Sequence, residues 1–181
     1  LRRTRGRTES PSTPTRRFNR PRPTPAWDAW CSENLSHPLD EIFPAQIGSR
    51  LYALSTDLPD LTVLRVFHPG LWLGNLKKDH FDTMQSGRFE PSHALAMGLQ
   101  ASDVQRIVVL SPDSPEIMKY LRGEMLPDPG ENGWVLITVA ASPVLATPAE
   151  NPDFVSPFSL GWGKRVQGVL KNHYPRGLLW L

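Results

Sequence analysis

The apolar residues of this chain come in short runs, and that limits it to short strands and one- to three-turn helices. Runs at 50–55, 63–67, 71–76, 104–110, 134–139 and 160–166 have the length and content of strands. Clusters of Pro, Gly, Asp and Asn separate them. The turn at 57–60 lies between the first two runs, and His68-Pro69-Gly70 stops the second. Residues 178–181 read as a last strand, after loops at 77–87, 140–157 and 170–177. Three segments read as helices. Trp27, Trp30, Cys31 and Leu35 recur near helical spacing over 26–35, with Asp28 early, where a carboxylate favours a helix N-terminus. Ser92 is placed to cap a helix over 93–99. Ser114 and Pro115 supply a cap and first position for 116–121, with Gly123 as its stop. No strand–helix–strand alternation and no repeat is visible. The expected class is α+β, ending in a small, mostly β module.

The net charge of +2 hides an asymmetry. Eight of the 20 basic residues and one of the 18 acidic residues lie within 1–25, a net of +7; the rest of the chain is net −5. Residues 1–25 also hold five prolines and no periodic apolar pattern, a composition that does not offset ordering entropy. This tail reads as a solvated linker or, more sharply, as a basic arm on RNA phosphates. The Pro- and Gly-rich cluster at 127–133 is the best internal boundary, dividing the remainder into 26–126 and 127–181.

Several function classes lose support. Cys31 is the only cysteine, which excludes an internal disulfide and a cysteine-built zinc site and suits a cytoplasmic location. The longest apolar stretch, 134–141, is far short of the roughly 20 residues that span a bilayer. No secretory signal opens the chain, and its start at Leu1 rather than Met reads as a piece of something longer. The five histidines, 37, 68, 80, 93 and 173, share no metal-ligand spacing. Glu90 with His93 is the nearest approach to an acid–base pair, and it reads better as a strand–helix junction. No complete active site emerges.

The end of the chain is more informative. Four cations, Lys164, Arg165, Lys171 and Arg176, and no acid fall within 161–181, interleaved with Trp162, His173 and Tyr174. Cations neutralise phosphates, and aromatic faces stack on unpaired bases. The alternative is that the aromatics are core and the cations a solvated face. The run GWGKRVQGVLKNHYPRGL from Gly161 resembles the C-terminal end of the bacterial RsmF/Sun-type RNA cytosine-C5 methyltransferases. So do RLYAL from Arg50, LRVFHPGLWLG from Leu64, GRFEPSHALAM from Gly87 and YLRGE from Tyr120.

That resemblance covers about 26–181. It implies an RsmF-type linker domain followed by a PUA-like RNA-binding β-barrel. Lys164, Arg165, Lys171 and Arg176 would contact phosphates, and Asn172, His173 and Tyr174 bases or sugars, with Trp162 structural. The partners it implies are ribosomal RNA and the small ribosomal subunit, bound by a monomer away from membranes. In the family, S-adenosylmethionine and two catalytic cysteines, in Pro-Cys and Thr-Cys motifs, belong to a separate catalytic domain. This chain has neither motif, so no cofactor and no catalytic residue are expected in it. Extra residues at 79–86 and 141–159, and Leu179 where the family carries an arginine, are its departures. The competing reading is a stand-alone, non-enzymatic RNA- or ribosome-binding module.

Overall fold

The computed structural model describes residues 24–39, 42–55, 66–77, 87–140 and 157–180. The tail (apart from Thr24 and Pro25), the turn at 57–60 and most of the segments expected at 63–67, 77–87 and 141–159 lie outside the described residues.

The fold is mixed α and β, with two sheets among the described residues. The first is an antiparallel meander of β1 (Phe43–Ile47), β2 (Arg50–Leu54), β3 (Leu71–Lys77) and β4 (Arg88–Pro91), hydrogen-bonded in chain order. The second curls into a half-barrel. It contains β5 (Ile107–Leu110), β6 (Leu126–Pro127), β7 (Gly133–Val139), β8 (Phe158–Val166) and β9 (Val169–Asn172), in the order β5-β7-β8-β9-β6. Strands from both sides of residue 127 therefore share this sheet.

Among the described residues, three α-helices punctuate the strands. In α1 (Pro25–Asn34) proline fills the first turn, where its missing N–H costs nothing, and the Thr24 carbonyl accepts from Trp27 N and Asp28 N at 2.8 and 3.0 Å. At its other end Arg106 Nη2 donates to Asn34 Oδ1 at 2.8 Å and to the Glu33 carbonyl at 3.1 Å. A cation there complements the helix dipole. The same guanidinium donates through Nε to the Trp134 carbonyl at 3.2 Å, which fastens α1 to β7.

Ser92 caps α2 (His93–Gly98): its Oγ accepts from Leu95 N at 3.0 Å and donates to the Trp72 carbonyl of β3. The helix α3 (Pro115–Leu121) departs from expectation at its start. Ser114 makes no side-chain cap, and its hydroxyl is buried without a partner. Its end is as read: Gly123, at φ +83°, donates to the Tyr120 carbonyl and Glu124 N to that of Lys119, the paired bonds of a Schellman stop.

Three expectations are corrected. A strand–helix–strand unit is present, because β5 and β7 pair in parallel on either side of α3. Residues 170–177 are not all loop: β8 and β9 form a hairpin through Gln167 and Gly168, both at positive φ, 52° and 78°. Two successive left-handed residues match the right-handed strand twist, which is why this turn pairs the strands. The chain end is not a strand. It forms a 3-10 turn (Arg176–Leu178), and Trp180 N donates to the Leu121 carbonyl at 3.0 Å.

One core joins the two sheets. Trp27, Trp30, Leu51, Leu73, Phe89, Leu95, Trp134, Leu136 and Trp162 are buried in it together. A second cluster behind the half-barrel contains Leu110, Tyr120, Leu126, Val135, Ile137 and Leu170. Glycine is required at one place between them. At the bulge where β8 passes β7, Gly161 has φ +154°, and a Cβ there would lie 2.6 Å from the Tyr120 hydroxyl.

Candidate nucleic-acid interface

The GWGK run divides between the two faces of β8. Trp162 turns into the core and donates its indole N–H to the Ser92 carbonyl at 2.9 Å. Gly163 lies against Leu170 with no room for a side chain. Two residues beyond Trp162, Lys164 shares its face but lies nearer the rim, half-buried. Its neighbours in register are Trp134 on β7 and Lys171 on β9.

Two lysines directly opposite each other repel, so Lys164 and Lys171 form a pair that an anion would relieve. The Lys164 ammonium lies 5.4 Å from the centre of the Trp134 ring. The His173 ring meets the same indole at 4.6 Å, and the His173 N–H donates to the Trp162 carbonyl at 3.1 Å. Burial first, and then Lys164, Lys77 and Lys171, hold the His173 imidazole below its usual pKa, while Glu90 opposes them. Near neutral pH the ring is uncharged, and protonation makes it one more cation. Arg176 is exposed on the 3-10 turn.

The other expected site residues do not join this face. Arg165 is 8% exposed; its Nη2 and Nε reach Asp128 Oδ2 at 2.5 and 2.7 Å, and its Nη1 donates to the Glu131 carbonyl at 3.2 Å. Asn172 is committed at both ends. Its amide donates to the Tyr120 and Glu124 carbonyls at 2.7 and 3.0 Å, and its oxygen accepts from Tyr174 N at 2.8 Å. Tyr174 is half-buried, edge-on to Tyr120 and His93 with ring centres 5.4 Å away in each case. Its neighbour Tyr120 donates to the Trp162 carbonyl at 3.1 Å.

The sequence reading missed the contribution of the first sheet. Glu90 on β4 pairs with Lys77 of β3 and has its other oxygen 3.9 Å from His173 Nδ1. It does not pair with His93, whose Nδ1 is buried without a partner and whose pKa burial lowers. No periodic signal marks Lys77 or Glu90, because their proximity to His173 arises between sheets.

A family model described as RsmF rRNA methyltransferase first C-terminal domain matches residues 29–99, and one described as methyltransferase RsmF PUA domain matches 154–180. The chain belongs to the RsmF rRNA methyltransferase family. It carries that family's C-terminal domains, including the RNA-binding PUA segment. Within the RsmF PUA match lie Lys164, Lys171, His173 and Arg176; within the first C-terminal domain lie Lys77 and Glu90.

Burial, and secondarily Asp28, push the Cys31 thiol up to about 12, so it stays protonated and poorly nucleophilic. A cavity of about 540 Å³ beside α1 is lined by Trp27, Cys31, Leu35, His37, Leu39 and Gln105, among others. Among the described residues no His, Cys, Asp and Glu group has the form of a metal site, and no helix is long and apolar enough to cross a membrane.

Proposed function

We propose that this chain docks ribosomal RNA for a cytoplasmic, S-adenosylmethionine-dependent rRNA 5-methylcytosine methyltransferase. Methyl transfer would belong to the catalytic domain that the family carries and whose cysteine motifs are not in this sequence. The observation that carries the reading is the opposed pair Lys164 and Lys171 on a rigid hairpin within the PUA match. The Lys164 ammonium lies 5.4 Å from the centre of the Trp134 ring and Lys171 is its register partner, so the two cations are opposed before a phosphate binds. Arg176 is a further exposed cation of the same segment, and His173 adds a charge only when protonated. Arg165, Asn172 and Tyr174 hold the hairpin and the chain end in place.

The test is salt-dependent binding of a labelled RNA stem-loop with single-stranded flanks to the full chain. Lys164→Ala and Lys171→Ala should each reduce the slope of log K against log salt by roughly 0.7–0.9, with the melting temperature kept. Unchanged slopes in both variants would exclude this face as the RNA contact.

A further inference from the structure

We propose that Glu90 and His173 together read the amino group of an unpaired RNA base, so that this face selects cytosine or adenine over uracil. The inference rests on the RNA-docking reading above and gives that site a base contact beside its phosphate contacts.

Its starting point is two polar atoms that face each other without meeting. Glu90 Oε1 lies 3.9 Å from His173 Nδ1, too far for a hydrogen bond. Lys77 takes the other carboxylate oxygen, and among the described residues no other side chain hydrogen-bonds Oε1 or the His173 ring nitrogens. The Glu90 and His173 side chains are 30% and 31% exposed, so the gap is open to solvent.

The chemistry of the gap calls for a donor. The His173 ring is neutral near neutral pH, and with its proton on Nε2 it presents Nδ1 as an acceptor. Glu90 Oε1 is an acceptor as well. A nitrogen that donates two hydrogens and sits about 2.9 Å from each atom spans their 3.9 Å separation. The exocyclic amino groups of cytosine and adenine are such donors. Uracil carries a carbonyl oxygen where cytosine carries its amino group, and both atoms repel it. A phosphate offers only acceptors, so the same pair rejects the RNA backbone.

Both readers are held in place before any ligand arrives. Lys77 of β3 grips Glu90, the His173 N–H donates to the Trp162 carbonyl, and the His173 ring rests on Trp134. Lys164 and Lys171 both act electrostatically on His173, so the phosphate-binding pair lies beside the gap. A strand with its phosphates on those lysines would offer a base edge next to them, the form in which single-stranded RNA is read.

The test uses the full chain and the labelled stem-loop, with single-stranded flanks of cytidine, adenosine or uridine. At one salt concentration the parent chain should bind the cytidine and adenosine flanks about 5- to 100-fold more tightly than the uridine flank. Glu90→Ala and His173→Phe should each bring the cytidine-to-uridine ratio close to one. Glu90→Gln keeps the side chain's size but replaces a charged acceptor with a neutral one, so it should lower the ratio with the melting temperature kept. Lys171→Ala should weaken binding of all three flanks and leave the ratio unchanged. Equal binding of cytidine and uridine flanks by the parent overturns the inference while the docking reading stands on the lysine salt slopes. So does a ratio that survives the Glu90 and His173 substitutions, the result expected if Glu90 only ties the sheets together. If neither Lys164→Ala nor Lys171→Ala changes the salt slope, the docking reading itself fails.

Discussion

Trp30 of α1 and Trp162 of β8 meet edge to face, their ring centres 5.6 Å apart and their planes at 86°. Trp162 also contacts Trp134 at 6.3 Å and donates to the Ser92 carbonyl, so one indole links α1, α2 and the half-barrel. It is 1% exposed. Trp162→Ala should therefore cost about 3–5 kcal/mol, the range for large aromatic truncations. Trp162→Phe should cost less, and its loss should include the indole hydrogen bond to the Ser92 carbonyl, which then keeps only the bond from Ala96 N. Urea unfolding followed by far-UV circular dichroism reads both. A second, separate transition in the alanine variant would mean that the sheets fold independently.

Tyr174 should prove a packing residue. Its ring is held between Tyr120 and His93, and its backbone N–H is bound by Asn172. Tyr174→Ala should lower stability by roughly 2–4 kcal/mol. A base-stacking role would instead remove about 1–3 kcal/mol of RNA affinity with the melting temperature kept. Thermal melts and RNA titrations on the same variant separate the two outcomes.

Arg165 should behave unlike Lys171, although both are cations of one hairpin. Its side chain is 9% exposed and fully engaged by Asp128 and the Glu131 carbonyl. Breaking a buried pair strands a charge, at a cost of about 3–5 kcal/mol. Asp128→Asn and Arg165→Ala should each lower the melting temperature by several degrees and leave the RNA salt slope of the surviving folded protein unchanged. A slope change with a normal melt would move Arg165 to the surface.

The folded chain should lose stability as the pH falls below about 6.5. His93, held down by burial, and His173, held down by burial and then by Lys164, Lys77 and Lys171 against Glu90, are both more easily protonated when unfolded. Their contribution is complete above the unfolded pKa and is lost as the pH drops through the folded one. Over the same window RNA phosphates should reverse the balance at His173, so RNA affinity should rise on acidification. His173→Gln should abolish that rise and flatten part of the pH dependence of melting. A pH-independent affinity in the parent chain would exclude His173 from the RNA face.

The sequence by itself determined most of the local structure and the family. Ser92 ahead of an Ala/Leu run, Pro25 and Pro115 at first helical turns, Gly123 as a helix stop and the strands around 50–54, 71–77, 134–139 and 160–166 are set by caps, φ restrictions and apolar content that act within a few residues. Where such signals are weak, the reading failed. The β8–β9 turn places Gln167 rather than Asn or Gly at a positive φ, with Asn132 Oδ1 accepting from its N–H at 2.8 Å, and that support comes from outside the hairpin. Tertiary structure alone decided which cations face solvent. Lys164 and Arg165 are neighbours in sequence, but alternate residues of a strand point to opposite faces, so one reaches the rim and the other is buried against Asp128. It also decided that Lys77 and Glu90 stand beside His173, because that meeting depends on how two sheets close over a shared tryptophan core, and no spacing along the chain encodes it.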